Sequence, residues 1–246
     1  MLMKQKLMAA VDSGNIDQMN WVMNRSRRLL NATDKEGKTP LIRAITSADP
    51  IGVTRTLIEC GANLDVRDKF GWTAVTFSLF KIKYEVTKLL LDAGADPNIP
   101  FGDGRTALMN AANYAPLGII TALLEKGANA NMVDQNGESA LFFAVVGGAR
   151  EAIEALIAAG SQVNMLNKDG DSALYLAVRL GNRYAVKLLM DNGASPYLEN
   201  SAGNSPINFA KNSCQTEIYE ILNREVARDL DRSGDALARL RRTKVQ

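Results

Sequence analysis

The sequence predicts an all-α repeat solenoid, in which short helix-turn-helix units stack and loop fingers built on β-turns protrude from the stack. Two series of residues predict it. Glycines recur every 33 residues, at Gly71, Gly104, Gly137, Gly170 and Gly203. Leucines keep the same spacing, at Leu57, Leu90, Leu123, Leu156, Leu189 and Leu222. A fixed period of this length indicates one small unit repeated many times, because each unit buries its apolar face against its neighbours.

Residues 134–166 illustrate the elements of one unit. The residues from Asp134 to Gly137 are of the types that favour a turn. Ser139 then starts a helix as its N-cap, and we expect its hydroxyl to accept a hydrogen bond from a backbone N–H of the first turn. Gly147-Gly148 ends this first helix, and Gly160 ends the second as a left-handed cap. The equivalent N-caps in the other units are Thr39, Thr73, Thr106, Ser172 and Ser205. Each unit therefore reads as turn, helix, turn, helix and extended loop.

The unit starts are GKTPLIRAI, GWTAVTFSL, GRTALMNAA, GESALFFAV, GDSALYLAV and GNSPINFAK. The second halves are LIECGANLD, LLDAGADPN, LLEKGANAN, LIAAGSQVN and LLMDNGASP. From about residue 7 to about residue 222 this pattern resembles the ankyrin repeat family. The resemblance implies an N-terminal capping repeat over residues 1–33, followed by five full repeats at 34–66, 67–100, 101–133, 134–166 and 167–199. It also implies a C-terminal capping repeat over 200–230, and we expect residues 231–246 to form a basic, flexible tail.

Two departures from the family pattern stand out. The histidine of the family motif is replaced, at Ile42, Thr76, Met109, Phe142, Tyr175 and Asn208. The glycine between the two helices of a unit is replaced in four units, at Asp49, Ile82, Ala115 and Cys214. We expect apolar packing to substitute for the hydrogen bonds of the histidine ring, and the second set of changes to disturb loop geometry without changing the fold.

Composition narrows the classes of function. The net charge is +2, which does not favour nucleic acid or a membrane surface as the partner. The chain contains no histidine, the commonest general base and metal ligand. No paired-carboxylate, nucleophile, metal or phosphate-binding arrangement recurs, so we expect no catalytic residues, metal site or cofactor. We further expect a cytoplasmic monomer, with secretion as an effector by a non-classical route left open.

The resemblance also implies where a partner binds, since in the family the loop fingers and first helices line a concave face on which partners dock. Most of these positions are small or polar here, whereas the second and third full repeats carry large aromatic residues, and we expect these to form an exposed cluster, which is the composition of a binding hot spot. We therefore predict a partner-binding site made of Phe70, Trp72, Phe77, Phe80, Phe101, Arg105 and Tyr114, with Lys69 and Arg43 also on its basic rim. The alternative is that Phe70, Trp72 and Phe101 pack together only to stiffen adjacent fingers.

These observations predict a non-catalytic interaction module that binds a protein partner, as an adaptor, inhibitor or effector-type scaffold. The alternative is an enzyme, or an enzyme subunit, with its activity on the repeat surface. On the first hypothesis Trp72→Ala weakens partner binding by about 2 kcal/mol or more and leaves the fold largely intact.

Overall fold

The computed structural model describes residues 2–224, so the predicted tail at 231–246 and the last residues of the predicted C-terminal cap lie outside the described residues. Within them the protein is an all-α repeat solenoid whose helices come in antiparallel pairs. Its extended segments form only two isolated β-bridges, Phe101 to Arg105 and Leu166 to Ser172. The chain divides into two compact units, Met1–Gln135 and Asn136–Gln246.

The first unit contains eight α-helices and a short 3₁₀ helix in two layers. The first-layer helices, which open each repeat, are α1 (Leu2–Asp12), α3 (Pro40–Ala44), α5 (Ala74–Phe80) and α7 (Ala107–Tyr114). The second-layer helices are α2 (Ile16–Arg25), α4 (Pro50–Glu59), α6 (Tyr84–Asp92) and α8 (Leu117–Glu125), and the 3₁₀ helix spans Arg27–Asn31. Within this unit the helices of one layer pack on their counterparts in neighbouring repeats, as α5 does on α7 and α6 on α8. The first-layer helices and their fingers therefore form one face of this unit.

The second unit repeats the same arrangement. Its helices are α9 (Ala140–Gly147), α10 (Arg150–Ala158), α11 (Ala173–Arg179), α12 (Arg183–Asp191) and α13 (Pro206–Asn212), and residues 216–224 are also helical. The helix α9 packs on α11, α11 on α13, and α10 on α12. The two-layer packing is thus the same in both units.

The core follows the sequence period. All six leucines of the 33-residue series are completely buried. So are the small residues of the first helices, Ala111, Ala144, Ala177 and Ala210, which allow neighbouring helices to approach closely. Burying a leucine side chain contributes about 1.5–3 kcal/mol, so this column is a principal source of stability.

All six predicted N-cap residues precede first-layer helices, but one of them makes no side-chain capping bond in the described part of the chain. The side chains of Thr39, Thr73, Thr106, Ser172 and Ser205 each accept a hydrogen bond from the backbone N–H three residues later. Ser139 occupies the same position, but its hydroxyl makes no capping bond in the described structure, so that prediction is wrong. Its backbone carbonyl instead accepts the N–H of Phe142 at 3.0 Å.

The turns between paired helices show what replaces the missing glycine. Ile82 and Cys214 each have a φ of 56°. They therefore keep the left-handed backbone that Gly148 and Gly181 adopt at the same turn position. Asp49 leaves that conformation, and its carboxylate accepts the N–H of Gly52 at 3.0 Å as the N-cap of α4. The turn geometry therefore survives at Ile82 and Cys214 despite the side chains.

Candidate functional site

Trp72 lies at the centre of an aromatic cluster on the first-layer face of the first unit. Its indole contacts the rings of Phe80 and Phe77 edge-on, with centroid distances of 4.6 and 5.9 Å. The ring of Phe101 lies 5.3 Å away in a tilted arrangement. Aromatic pairs in such geometries contribute about 0.5–1.5 kcal/mol each beyond the area they bury. The structure thus brings four of the predicted residues together as one packed group, which we call the Trp72 cluster.

A short local network holds Trp72 in this position. The buried Asp68 carboxylate accepts the backbone N–H groups of Phe70 and Trp72, both at 2.9 Å. Between them Gly71 has a φ of 80°, which L side chains rarely adopt. The next residue, Thr73, forms a reciprocal capping box with Thr76 and so starts α5. Trp72 is therefore fixed between a tight turn and a capped helix.

Phe101 is the buried member of the cluster and packs against Trp72. Its side chain is only 8% exposed, so the interpretation of Phe101 as an exposed aromatic residue is wrong. It stands at the turn position that aspartate or asparagine holds in other repeats, and its backbone pairs with Arg105. Neighbouring fingers elsewhere are joined by a backbone hydrogen bond, such as Lys69 N–H to Glu36 O at 3.0 Å. Between the Phe70 and Phe101 fingers the described structure has no such bond, and ring packing takes its place.

Three predicted residues present aromatic surface to solvent. Phe70 is 66% exposed, Phe80 is 54% exposed and Tyr114 is 47% exposed. Phe70 makes no ring contact within residues 2–224, which excludes for this residue the alternative that it stiffens the fingers by stacking. Partial burial raises the pKa of Tyr114, and the neighbouring Tyr84 adds to the rise. The phenol of Tyr114 therefore remains neutral at physiological pH.

The predicted basic residues differ in how they are held. Arg105 lies with its Nε 3.2 Å from an Asp103 carboxylate oxygen and 3.9 Å from Asp134, so it joins two fingers. Arg43 is paired with both Asp12 and Asp34. Their guanidinium groups are thus already matched by acidic residues of the chain itself, and neither adds a free positive charge to the surface.

Sequence reasoning missed a polar hollow beside the cluster. It has a volume of about 310 Å³, and its lining includes Phe77 and the Arg43 ion pairs with Asp12 and Asp34. Lys38 lies over the Phe77 ring at 5.2 Å and also pairs with Glu36 at 2.8 Å. The alternating charges at Lys35, Glu36 and Lys38 were visible in the sequence. The local sequence did not indicate that these residues line one hollow together with Phe77 of α5.

The comparisons with known proteins agree with this architecture. The family model described as ankyrin repeats (3 copies) matches residues 7–101, 83–165, 108–200 and 147–233. The chain belongs to the ankyrin repeat family. Ankyrin repeat domains generally mediate protein–protein interactions and are generally non-catalytic. No curated protein sequence matches the chain significantly.

Three solved structures show the likeness in space. The ankyrin repeat domain of Bcl-3, a member of the IkappaB protein family, is 29% identical with a TM-score of 0.79, over 89% of this chain and 97% of that one. An ankyrin repeat domain from Acinetobacter baumannii AYE is 30% identical with a TM-score of 0.71, over 76% and 97%. A chain from the complex of the predatory endopeptidase Bd0816 of Bdellovibrio bacteriovorus with the immunity protein Bd3460 is 28% identical, with a TM-score of 0.64 over 76% and 97%.

Within residues 2–224 no helix has the length and apolar character needed to cross a membrane. In the same residues no group of three or more acidic or cysteine side chains is placed to hold a metal ion.

Proposed function

We propose that this ankyrin repeat protein is a non-catalytic interaction module that binds a protein partner on the concave face expected for the family, with the Trp72 cluster and the adjacent Phe70 as the hot spot. The observation that carries the proposal is that exposed aromatic side chains lie next to an aromatic residue that is held rigidly in place. Phe70 and Phe80 are mostly exposed, while the adjacent Trp72 is fixed by ring packing and by the Asp68 turn. Large exposed aromatic residues on a rigid support are typical of binding hot spots.

The bound partner is expected to cover Phe70, Phe80 and Tyr114 together. Rigid support matters because the side chains lose little conformational freedom on association, so more of the contact energy appears as affinity. Similarity to a chain from an enzyme–immunity protein complex supports a role in which holding another protein is itself the activity. An adaptor, an inhibitor and an effector-type scaffold all share this mechanism.

The test uses Phe70, because its side chain contributes no ring packing to the fold. Phe70 is replaced by a photo-cross-linking phenylalanine analogue, and the protein is irradiated in extract of the source cell. The matched control carries the same analogue in place of Tyr197, which is also exposed and lies on the second unit. We expect one protein to be cross-linked at Phe70 and not at Tyr197.

The purified partner is then titrated against Phe70→Ala and Phe80→Ala. Loss of a hot-spot residue costs about 2 kcal/mol or more, which corresponds to a roughly thirtyfold rise in Kd. Equal cross-linking at both sites, or an unchanged Kd in both alanine variants, would refute the proposed hot spot.

A further inference from the structure

The exposed charge around the Trp72 cluster is positive. Residues 67–84 contain Arg67, Lys69, Lys81 and Lys83, against Asp68 as their one acidic residue. Asp68 is buried, and its carboxylate is occupied by two backbone N–H groups. No ion pair involves any of the four basic residues within the described part of the chain, unlike Arg43 and Arg105. Their charge is therefore exposed to solvent and is not neutralised by an ion pair with any described carboxylate.

Lys81 is placed directly against the aromatic surface. Its Nζ lies 5.0 Å from the centroid of Phe80 and 5.5 Å from that of Phe77. Such cation–π contacts hold an ammonium group close to a ring at little cost in hydration at the surface. A ligand that covers Phe80 must meet this ammonium group, and a carboxylate is the group that matches it.

Ile82, the next residue, is held in a strained backbone. Its φ of 56° lies in the left-handed region, which is a genuine outlier for a β-branched residue and is energetically unfavourable. Gly148 and Gly181 occupy the same turn position in other repeats without that cost. The Ile82 side chain is 65% exposed, so core packing does not offset the strain. An exposed isoleucine in this conformation points to a role outside the fold.

A shallow apolar groove begins at Ile82. It has a volume of about 290 Å³ and runs between the start of α4, at Pro50 and Ile51, and the start of α6, at Tyr84 and Val86. Ile51 is itself 45% exposed. Pockets that enclose drug-sized ligands measure about 300–1,000 Å³, so this open groove suits a side chain of a larger ligand better than a small molecule. Lys83 lies on its rim, beside Glu85, the one acidic residue on the lining.

We propose that the segment bound at the Trp72 cluster is an acidic protein segment with large apolar side chains. One apolar side chain occupies the groove between Ile51 and Ile82, and carboxylates of the segment pair with Lys69, Lys81 and Lys83. This inference rests on the proposed function, since it takes the same cluster as the binding site, and it adds the chemistry of the partner. Charge complementarity between an unpaired basic margin and the ligand supplies the specificity.

The probe is a phage-displayed library of random peptides, selected on the full chain. We expect enriched peptides to combine several aspartate or glutamate residues with at least one large apolar residue. A synthetic enriched peptide is then titrated against Lys69→Glu/Lys81→Glu/Lys83→Glu and against the matched charge control Lys168→Glu/Lys187→Glu/Lys211→Glu, whose three lysines are exposed on the second unit. The first variant should lose at least about tenfold in affinity, and the control far less.

The Ile82→Gly variant tests the contribution of the groove to binding separately from the contribution of the lysine charges. It should weaken the same peptide severalfold while the salt dependence of binding is retained. Neutral or basic enriched peptides, a failure to enrich any peptide, or equal affinity of the two triple variants would overturn the inference. A mixed-sequence oligonucleotide that binds through the same lysines more tightly than the peptide would also overturn it, in favour of nucleic acid. Partner cross-linking at Phe70 with no effect of the Lys69/Lys81/Lys83 reversal would leave the proposed function standing and refute only the acidic segment.

Discussion

The rings of Trp72 and Phe101 lie 5.3 Å apart at the one finger junction, among those the structure describes, that lacks a backbone hydrogen bond between neighbours. At the equivalent junctions the bonds run from Gln135 N–H to Asp103 O at 2.8 Å and from Lys168 N–H to Asn136 O at 2.8 Å. The aromatic pair therefore joins two repeats and also supports exposed surface. On the proposed function, a substitution at Trp72 changes both stability and binding, whereas a substitution at Phe70 changes binding alone.

Trp72→Ala is expected to lower the free energy of unfolding by about 2–3 kcal/mol, because it removes three ring contacts and leaves a gap over Phe101. This revises the sequence-based expectation that the substitution leaves the fold largely intact. Phe70→Ala should change stability by less than about 0.5 kcal/mol, as is usual at an exposed position. Urea denaturation of both variants measures the difference. Trp21→Ala is the matched control, since Trp21 contacts the cations of Arg25 and Lys6 rather than other rings.

Two threonines at equivalent positions should respond to valine in opposite directions. Thr54 is completely buried and its hydroxyl has no hydrogen-bond partner in the described structure. The hydroxyl of Thr87 bonds to that of Ser78 at 2.7 Å and donates to Lys83 O at 3.2 Å. Thr54→Val should therefore stabilise the protein by about 1 kcal/mol, and Thr87→Val should destabilise it by a similar amount. Equal shifts of the two urea midpoints would contradict this assignment.

Ile82→Gly should raise stability by a few tenths to about 1 kcal/mol. It relieves the left-handed strain, which outweighs the entropy that glycine adds to the unfolded chain. The reverse change at Gly181, to alanine, should cost about 1 kcal/mol, because the φ there is 70° while the added methyl group meets open space. Thermal unfolding of both variants provides the measurement. A lower Tm for Ile82→Gly would show that Ile82 has a packing role after all.

Stability should fall in acid partly through Asp34. Burial opposes its ionisation, but hydrogen bonds from Arg43 and from the backbone of Lys38 and Glu36 outweigh this and lower the pKa of the carboxyl below its ordinary value. Because the pKa is lower in the folded state, the unfolded chain takes up the proton first as the pH falls. The contribution is therefore complete above about pH 4 and is lost as the pH drops through the folded-state value.

Asp34→Asn should flatten the acid limb of a plot of stability against pH. Urea midpoints measured from neutral pH down to about pH 3 would show it. Asp191→Asn, an exposed acidic residue without an ion pair in the described chain, controls for the loss of one carboxylate. An acid limb as steep in Asp34→Asn as in the wild type would exclude this mechanism.

The fold was predictable from the sequence because every repeat carries the same local signals. The leucine column, the N-cap positions and the turn glycines each depend on a few neighbouring residues, so periodicity alone places them. Ser139 shows the limit, since a suitable residue at an N-cap position does not ensure the side-chain bond.

The site was less predictable, because its properties depend on contacts between repeats. Sequence indicated where the aromatic residues lie, but not that Phe101 is buried under Trp72 or that Arg43 and Arg105 are matched by acidic residues. The sequence showed Ile82 as a departure from the glycine pattern, but a binding role for it could be inferred only from two facts that the structure supplies. These are its exposure and the groove that it forms with Ile51 of the preceding repeat.

The chain has two tryptophans, and Trp72 is the one surrounded by aromatic rings. In a Trp21→Phe background the tryptophan fluorescence of the protein arises from that single indole. A ligand that covers Phe80 is expected to displace water from beside the indole of Trp72 and so to shift its emission. The molecule thus contains its own optical reporter, and occupancy of the surface can be followed in real time without a label.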